Sequence, residues 1–331
     1  MNFLITGGAG FIGSHTVDEL MHSGDKVTVI DNLYGGRIAN ISHHLGKPNF
    51  SFSEQDIRTV DLNSELFKGI DCIIHFAGLG DIVPSINNPL EYMAVNSHGT
   101  ARIMEAARVN SIRRIVYAAS SSCYGIAQVP TNESQEISPE YPYAFSKLVG
   151  ELTAFHWAKV YGLEVNSIRI FNAYGTRSRT SGTYGAVFGV FLKQLIENKP
   201  LTIVGDGNQK RDFVYATDVA KAFVLAAKSD VYGEVFNIGG GNPVSVNEIA
   251  SLLSSESISI PERPGEPSTT WAEISKAKEL LHWIPQVSLR QGITKMLAEL
   301  EYWKDAPLWD PESISRETKE WFQFLSKKEM K

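Results

Sequence analysis

Tyr143 and Lys147 stand four residues apart in "YPYAFSKLVGE", residues 141–151. On a helix that spacing projects both side chains from one face. An ammonium beside a phenol favours the phenolate and draws the tyrosine pKa down from about 10 toward working pH. Tyr143 then serves as a general base or acid, and Ser120, at the carboxyl end of the run "RIVYAAS", can orient or relay the proton. Tyrosine–lysine pairs at this spacing also occur on ordinary helices, where they serve packing and solvation. The rest of the chain decides between the two readings.

A second constellation sits at the start. "TGGAGFIG" follows an apolar run and satisfies G-x-x-G-x-x-G from Gly7 and G-x-G-x-x-G from Gly8. Glycines there let the backbone turn sharply and approach a pyrophosphate, whose charge then lies at a helix N-terminus. The loop residues Gly7, Gly10, Phe11, Ile12 and Gly13 are the expected contacts. Asp31 ends the next strand, placed to accept hydrogen bonds from an adenosine ribose and to repel a 2′-phosphate. Asn32 follows it, with no arginine to welcome that phosphate, so NAD is expected over NADP. Asp56, with Ile57 beside it in "SEQDIRT", lies beyond the third strand. It either meets the adenine amino group or is an ordinary loop carboxylate.

These residues need a frame. "NFLITG", "KVTVID", "CIIHFAG", "RIVYAAS" and "EVNSIRIFN" read as strands, with helical patterns between them near 11–22, 97–109 and 143–161. Alternation of that kind predicts a parallel sheet with helices on both faces. The fold class is α/β, a Rossmann-type doubly wound sheet with a smaller mixed α/β substrate domain towards the C-terminus. Helices are expected near 185–197, 215–228, 246–254 and 273–301, with short strands "PLTIVG" and "EVFNIG". At the end, Asp310 caps and Pro311 opens a helix through "WDPESISRETKEWFQFL", which docks by Trp321, Phe322 and Leu325.

Composition removes several function classes. With 331 residues, 43% hydrophobic and 21% charged, the chain is ordinary globular material. A formal charge of −6 without long basic runs speaks against nucleic acid or an anionic membrane as partner. Two cysteines in apolar runs, Cys72 and Cys123, suit packing in a reducing cytoplasm rather than a disulfide framework. The start shows no basic leader, and no apolar run approaches the roughly 18 residues of a membrane span. His43 and His44 sit in a polar loop, and no ligand spacing for zinc is visible, so no metal is expected.

The glycine loop, "HFAG" (75–78), the "VN" ending at Asn96, Ser120 before "CYG", and Tyr143-x-x-x-Lys147 together resemble the extended short-chain dehydrogenases/reductases, the NAD-dependent nucleotide-sugar epimerases and dehydratases. The likeness continues through "RIFNAYGTR", "LTIVGDGNQKRDFVY", "NIGGG" and "RPGEPSTTWAEISKAKELLHW". It implies that residues 1–172 with about 209–236 bind NAD, and that about 173–208 with 237–331 bind the nucleotide diphosphate-sugar. Phe76 and Ala77 would line the cofactor groove, and Lys147 would also bond the nicotinamide ribose. Asn172, Arg211 and Arg263 match positions that grip sugar or diphosphate, and the planar guanidinium fork suits phosphate. Leu201 and Ile203 match the strand that flanks the base. Asn96 joins the network beside the cofactor or simply caps the next helix.

The residues after Ser120 separate the branches of that family. Dehydratases resembling this chain carry Asp-Glu there, and the decarboxylases a glutamate at the second position; here stand Ser121 and Ser122. Ser120, Tyr143, Lys147 and NAD form the minimal set for alcohol–ketone interconversion, which suffices for a 4-epimerase. "HFAGL…PLEYMAVNSHGT" resembles the UDP-hexose 4-epimerases most. Gly80 and Ile170 depart from their pattern, and Thr270 replaces a bulky gate, leaving room for N-acetyl or uronic forms. A net 4-oxidase or ketoreductase would use the same residues, and a non-catalytic nucleotide-binding module is the rival of another class. The resemblance also implies a homodimer through the helices starting near Ser97 and Tyr143.

Overall fold

The computed structural model describes residues 1–178, 187–253 and 256–326. Six strands take the apolar runs of the first half: β1 (Asn2–Thr6), β2 (Lys26–Asp31), β3 (Phe50–Glu54), β4 (Cys72–His75), β5 (Arg114–Ser120) and β6 (Glu164–Ile170). With Val235–Ile238 they form a seven-stranded sheet in the order β3-β2-β1-β4-β5-β6 and then Val235–Ile238, every pair parallel. This is the expected Rossmann-type sheet. Continuous burial along β4 and nearly all of β2 and β5 reflects helices on both faces, as a parallel sheet requires.

The helices follow the glycine and proline punctuation. α1 (Phe11–His22) starts where the glycine loop ends. Then come the short α2 (Ile82–Asn87) and α3 (Pro89–Tyr92), a π-helical stretch Met93–Gly99, α4 (Thr100–Val109) and α5 (Pro142–Tyr161). One face of the sheet packs Val17 and Leu20 of α1 with Val219 and Phe223 of the helix Ala216–Lys228. The other packs Ile103 and Met104 of α4 with Ala154 of α5. A further core gathers Phe191, Leu201, Ile249, Met296, Trp303 and Trp321. The strand order reverses between β1 and β4, and a cleft opens outside the strand ends there, the usual ligand position in such sheets.

Several boundaries differ from expectation for local reasons. The 273–301 segment breaks into Ser275–Leu281, Leu289–Ala298 and Leu300–Trp303. His282 leaves the first piece in a left-handed conformation at φ 52°, and Pro285 then forbids continuation. The last helix is two, Pro311–Glu317 and Lys319–Leu325, with Asp310 capping the first through the Ser313 amide at 2.8 Å. Trp321 and Leu325 are buried while Phe322 is only half-buried. The expected helix start at 185 and the end at 254 lie outside the described residues; the described parts are Val187–Ile196 and Val246–Leu253. Among the described residues no helix is long and apolar enough to cross a membrane.

Candidate active site

At the nucleotide end, close backbone approaches shape the glycine loop. Gly7 turns at φ +71°, and a Cβ there would lie 2.7 Å from the Ala77 nitrogen. A Cβ on Gly13 would lie 2.2 Å from the Gly7 carbonyl oxygen. Gly10 precedes α1 without any side-chain cap, so the amides of the first turn remain available to an anion. Asp31 accepts from the Leu33 amide at 2.8 Å and the Ala9 amide at 3.0 Å. Burial pushes its carboxyl pKa up, and the two amides draw it back. These features open on one cleft of about 340 Å³. Gly7, Gly10, Phe11, Ile12, Gly13, Asp31, Asn32, Asp56, Ile57, Phe76, Ala77, Tyr143 and Lys147 all line it.

Two expected contacts are placed differently. Asn96 is fully buried behind the wall, accepting from the Leu79 amide at 2.7 Å and donating to the Leu79 carbonyl and Ser146 hydroxyl. It holds the Gly78–Leu79 turn in place instead of lining the cleft. Asp56 reaches the cleft with its carboxylate already taken by Arg58, which holds its pKa down at about 2, and by Asn32. Arg58 itself spans to Glu91 at 2.8 Å, so its charge at the rim is neutralised twice.

At the chemical end, Pro142 opens α5 and forces Tyr141 into extended backbone, which sends Tyr143 and Lys147 into the helix one turn apart. Ser120 closes β5; its Oγ accepts the Ser122 amide at 3.2 Å, and its hydroxyl opposes the rise of the Tyr143 phenol pKa. The expected electrostatics are reversed here. Burial pushes the Tyr143 phenol up, against the Ser120 hydroxyl, and the Asp81 carboxylate adds to the rise. Burial also draws the Lys147 amine down to about 7, with Glu151 opposing. Both groups favour the neutral form because the site excludes water from each alike. The Lys147 nitrogen lies 4.5 Å over the Tyr117 ring. One turn on, Glu151 is locked by Arg169, whose Nη2 approaches to 2.6 Å, with both partners buried.

The residues expected at the sugar-phosphate end come from distant segments. Arg211 and Arg263 are brought together on one carboxylate, Glu266: Arg211 Nη2 lies 3.3 Å from one oxygen and Arg263 Nη1 lies 3.0 Å from the other. Asn172 accepts a 2.8 Å hydrogen bond from Thr270, so the proposed gate is tethered to a proposed sugar contact. Leu201 and Ile203 are a correction, since both side chains are buried in the core at 0% and 5% exposure.

Sequence reasoning missed Tyr141, Asp81 and Glu266. Only the "RPGE" spacing could have suggested the last of these. One grouping of possible ligand residues was not visible in the sequence spacing. Asp18, His43 and His44 bring ligand atoms within 4.8 Å of one another beside a separate cavity lined by His15 and His22. Asp18 is far from the histidines in sequence, which hid the grouping. Arg177 already holds that carboxylate at 2.7 Å, a charge that opposes a cation.

A doubly wound sheet, a glycine cradle that a Cβ would fill, a buried ribose-side carboxylate and a Ser–Tyr–Lys set define a short-chain dehydrogenase/reductase site built for NAD. The chain belongs to the NAD dependent epimerase/dehydratase family, whose profile matches residues 3–239. It is 38% identical over 316 residues to an uncharacterized UDP-glucose epimerase of Bacillus subtilis, covering 91% of this chain and 98% of that one. The UDP-glucuronic acid 4-epimerase of Bacillus cereus, solved with UDP-glucuronic acid and NAD, superposes with a TM-score of 0.84. It is 34% identical, over 92% of this chain and 99% of that one. The UDP-glucose 4-epimerase of Thermotoga maritima, solved with UDP-glucose, gives 0.82 at 31% identity, over 92% and 99%. The protein is an NAD-dependent enzyme of the nucleotide-sugar 4-epimerase family, whose relatives differ in the sugar named and include a UDP-glucuronic acid decarboxylase and a dTDP-glucose 4,6-dehydratase.

Proposed function

We propose that the protein is a UDP-hexose 4-epimerase, acting on a UDP-hexose or its N-acetyl or uronic form by transient oxidation at carbon 4. The observation that carries this reading is that Tyr143 and Lys147 both line the cleft, with Ser120 at the end of β5 followed in sequence by Ser121 and Ser122 instead of carboxylates. Tyr143 takes the proton of the 4-hydroxyl, and Ser120 holds that hydroxyl in line. Lys147 supplies the compensating charge as the phenolate forms. NAD, which the glycine loop and Asp31 would hold, would supply a reversible hydride acceptor for carbon 4, so that the cycle would be redox-neutral. Arg211 and Arg263 hold the diphosphate, leaving the keto-sugar free to turn about that anchor. The lack of an acid–base carboxylate pair after Ser120 is what sets dehydration and decarboxylation aside. In this reading residues 1–172 with about 209–236 hold NAD, and about 173–208 with 237–331 hold the UDP-sugar.

The exposed face of α5 supports a homodimer. Phe145 and Leu152 project there, 49% and 58% exposed, on an i, i+7 stripe with half-buried Val149 between them. A reducing cytoplasm suits the two buried free thiols, Cys72 and Cys123. The test incubates the purified protein with UDP-glucose, UDP-N-acetylglucosamine and UDP-glucuronate. Carbon-4 epimers are resolved by NMR while NADH absorbance is followed. An epimer without accumulating NADH supports the reading and names the sugar. Accumulating NADH or a stable keto-sugar moves the protein to the oxidase or dehydratase branch.

A further inference from the structure

An NDP-sugar held by its reacting hydroxyl at one end and its diphosphate at the other must place the hexose between Tyr143 and the Arg211–Arg263 pair. Tyr141 occupies that interval. The proline after it fixes it in extended backbone, φ −144° and ψ 162°, while Tyr143 already belongs to the helix. The two rings are parallel to within 7°, with centroids 6.4 Å apart. Burial pushes the Tyr141 phenol pKa up; Ser122, two residues from Ser120, draws it back, while Glu266 raises it and Arg211 lowers it. One side chain thus lies between Tyr143 and the tryptophan that carries Arg263 on its ring.

Behind it stands the C-terminal helix. The Trp321 ring lies 6.1 Å from Tyr141, and the Arg263 guanidinium carbon lies 5.7 Å from that indole. Trp321 Nε1 donates to the Pro264 carbonyl at 2.8 Å, pinning the loop that carries Arg263 and Glu266. The indole is 1% exposed, so its position is set by packing.

We propose that Tyr141, backed by Trp321, is the wall of the hexose pocket, a specificity-determining contact that positions the sugar between Tyr143 and the arginine pair. The inference rests on the UDP-hexose reading above. An aromatic face supplies contact area to the C–H face of a pyranose without directional hydrogen bonds. That property suits a sugar that must present first one face and then the other to the same catalytic tyrosine. Directional bonds to the ring hydroxyls would hold one orientation only. Trp321 acts through Tyr141 and Arg263 and is a positioning residue.

The test compares UDP with UDP-glucose and UDP-N-acetylglucosamine by titration calorimetry, alongside steady-state kinetics, bound NAD content and Tm. Tyr141→Ser is expected to weaken the UDP-hexose by about tenfold, with UDP affinity and NAD content unchanged within about twofold. The loss falls on KM rather than kcat, and discrimination between the two sugars narrows. Tyr141→Phe keeps wild-type affinity. If the serine variant does not fold, Tyr141→Leu serves the same comparison. Trp321→Ala weakens UDP and UDP-hexose together, and Trp321→Phe restores both, which a loss of stability alone does not do. A Tyr141→Ser protein that binds UDP-hexose as tightly as wild type overturns the wall while leaving the epimerase reading standing. A wild-type protein that binds UDP but gains nothing from either hexose overturns the reading and the wall with it.

Discussion

The two ends of the site are built by different means. The dinucleotide end is made of backbone: a left-handed glycine, the uncapped amides of α1 and close approaches that exclude any Cβ. The sugar-phosphate end is made of side chains from segments far apart in sequence, joined by Glu266 between Arg211 and Arg263 and by Thr270 on Asn172. A backbone site exists whenever the fold exists. A side-chain site can change rotamers and partners, which fits an NAD dependent family whose members are named for different sugars and different reactions.

If that division is right, the two ends break separately. Tyr143→Phe removes the proton acceptor and is expected to cut kcat by about 10²–10⁴-fold with bound NAD unchanged, read by turnover and by NAD released on denaturation. Full activity in that variant would end the assignment of Tyr143. Gly13→Ala does the opposite: its Cβ would sit 2.2 Å from the Gly7 oxygen, so NAD content falls to background. UDP affinity in any folded fraction stays near wild type, and joint loss of both would show that the ends are not independent.

Next in size is the support shared by both ends. Glu151 and Arg169 are buried at about 5% exposure or less, and Glu151 also sits one turn from Lys147. Glu151→Gln leaves a buried guanidinium without its counter-charge, a loss of about 3–5 kcal/mol. Thermal unfolding is expected to shift down by roughly 10 °C. A shift of a degree or two would mean that water reaches the pair. Arg263→Ala is milder and one-sided. It removes one fork from the diphosphate cradle and is expected to raise KM about 10–100-fold while kcat and NAD content hold.

The same division explains what the sequence disclosed. Glycine spacing, Asp31 after an apolar run and the Tyr143–Lys147 step are local patterns, and the sheet order that presents them follows from alternating strands and helices. Tyr141 against Trp321, Glu266 between two arginines and Asp18 against His43 and His44 are long-range meetings, which no local period encodes. Leu201 and Ile203 were expected beside a base, yet all four residues of their strand are buried, a consequence of packing from both sides that no motif position reveals. The charge state of the Tyr–Lys pair was legible in kind and wrong in sign. Spacing reveals that two groups are near each other, whereas burial determines which protonation they prefer.

That sign yields the smallest and most specific effect. With Lys147 drawn down to about 7 and the Tyr143 phenol pushed up, the pair loses its first proton near pH 7. What remains is one proton between phenol and amine, the same count as the phenolate–ammonium arrangement that can accept a proton from substrate. Activity should therefore rise with pH through about 7 and then level until the second proton leaves at the raised phenol value. At pH 7 the deficit is only about twofold, growing to tenfold per unit below it. In kcat/KM against pH, a limb near 7 supports coupling of the two groups through burial, and a flat profile from pH 6 to 9 would sink it. Glu151 opposes the fall in the Lys147 pKa, so a folded Glu151→Gln protein should show the same limb displaced to lower pH. A limb displaced upward would mean that the carboxylate acts on Tyr143 instead, and that the dinucleotide end is tuned by side chains after all.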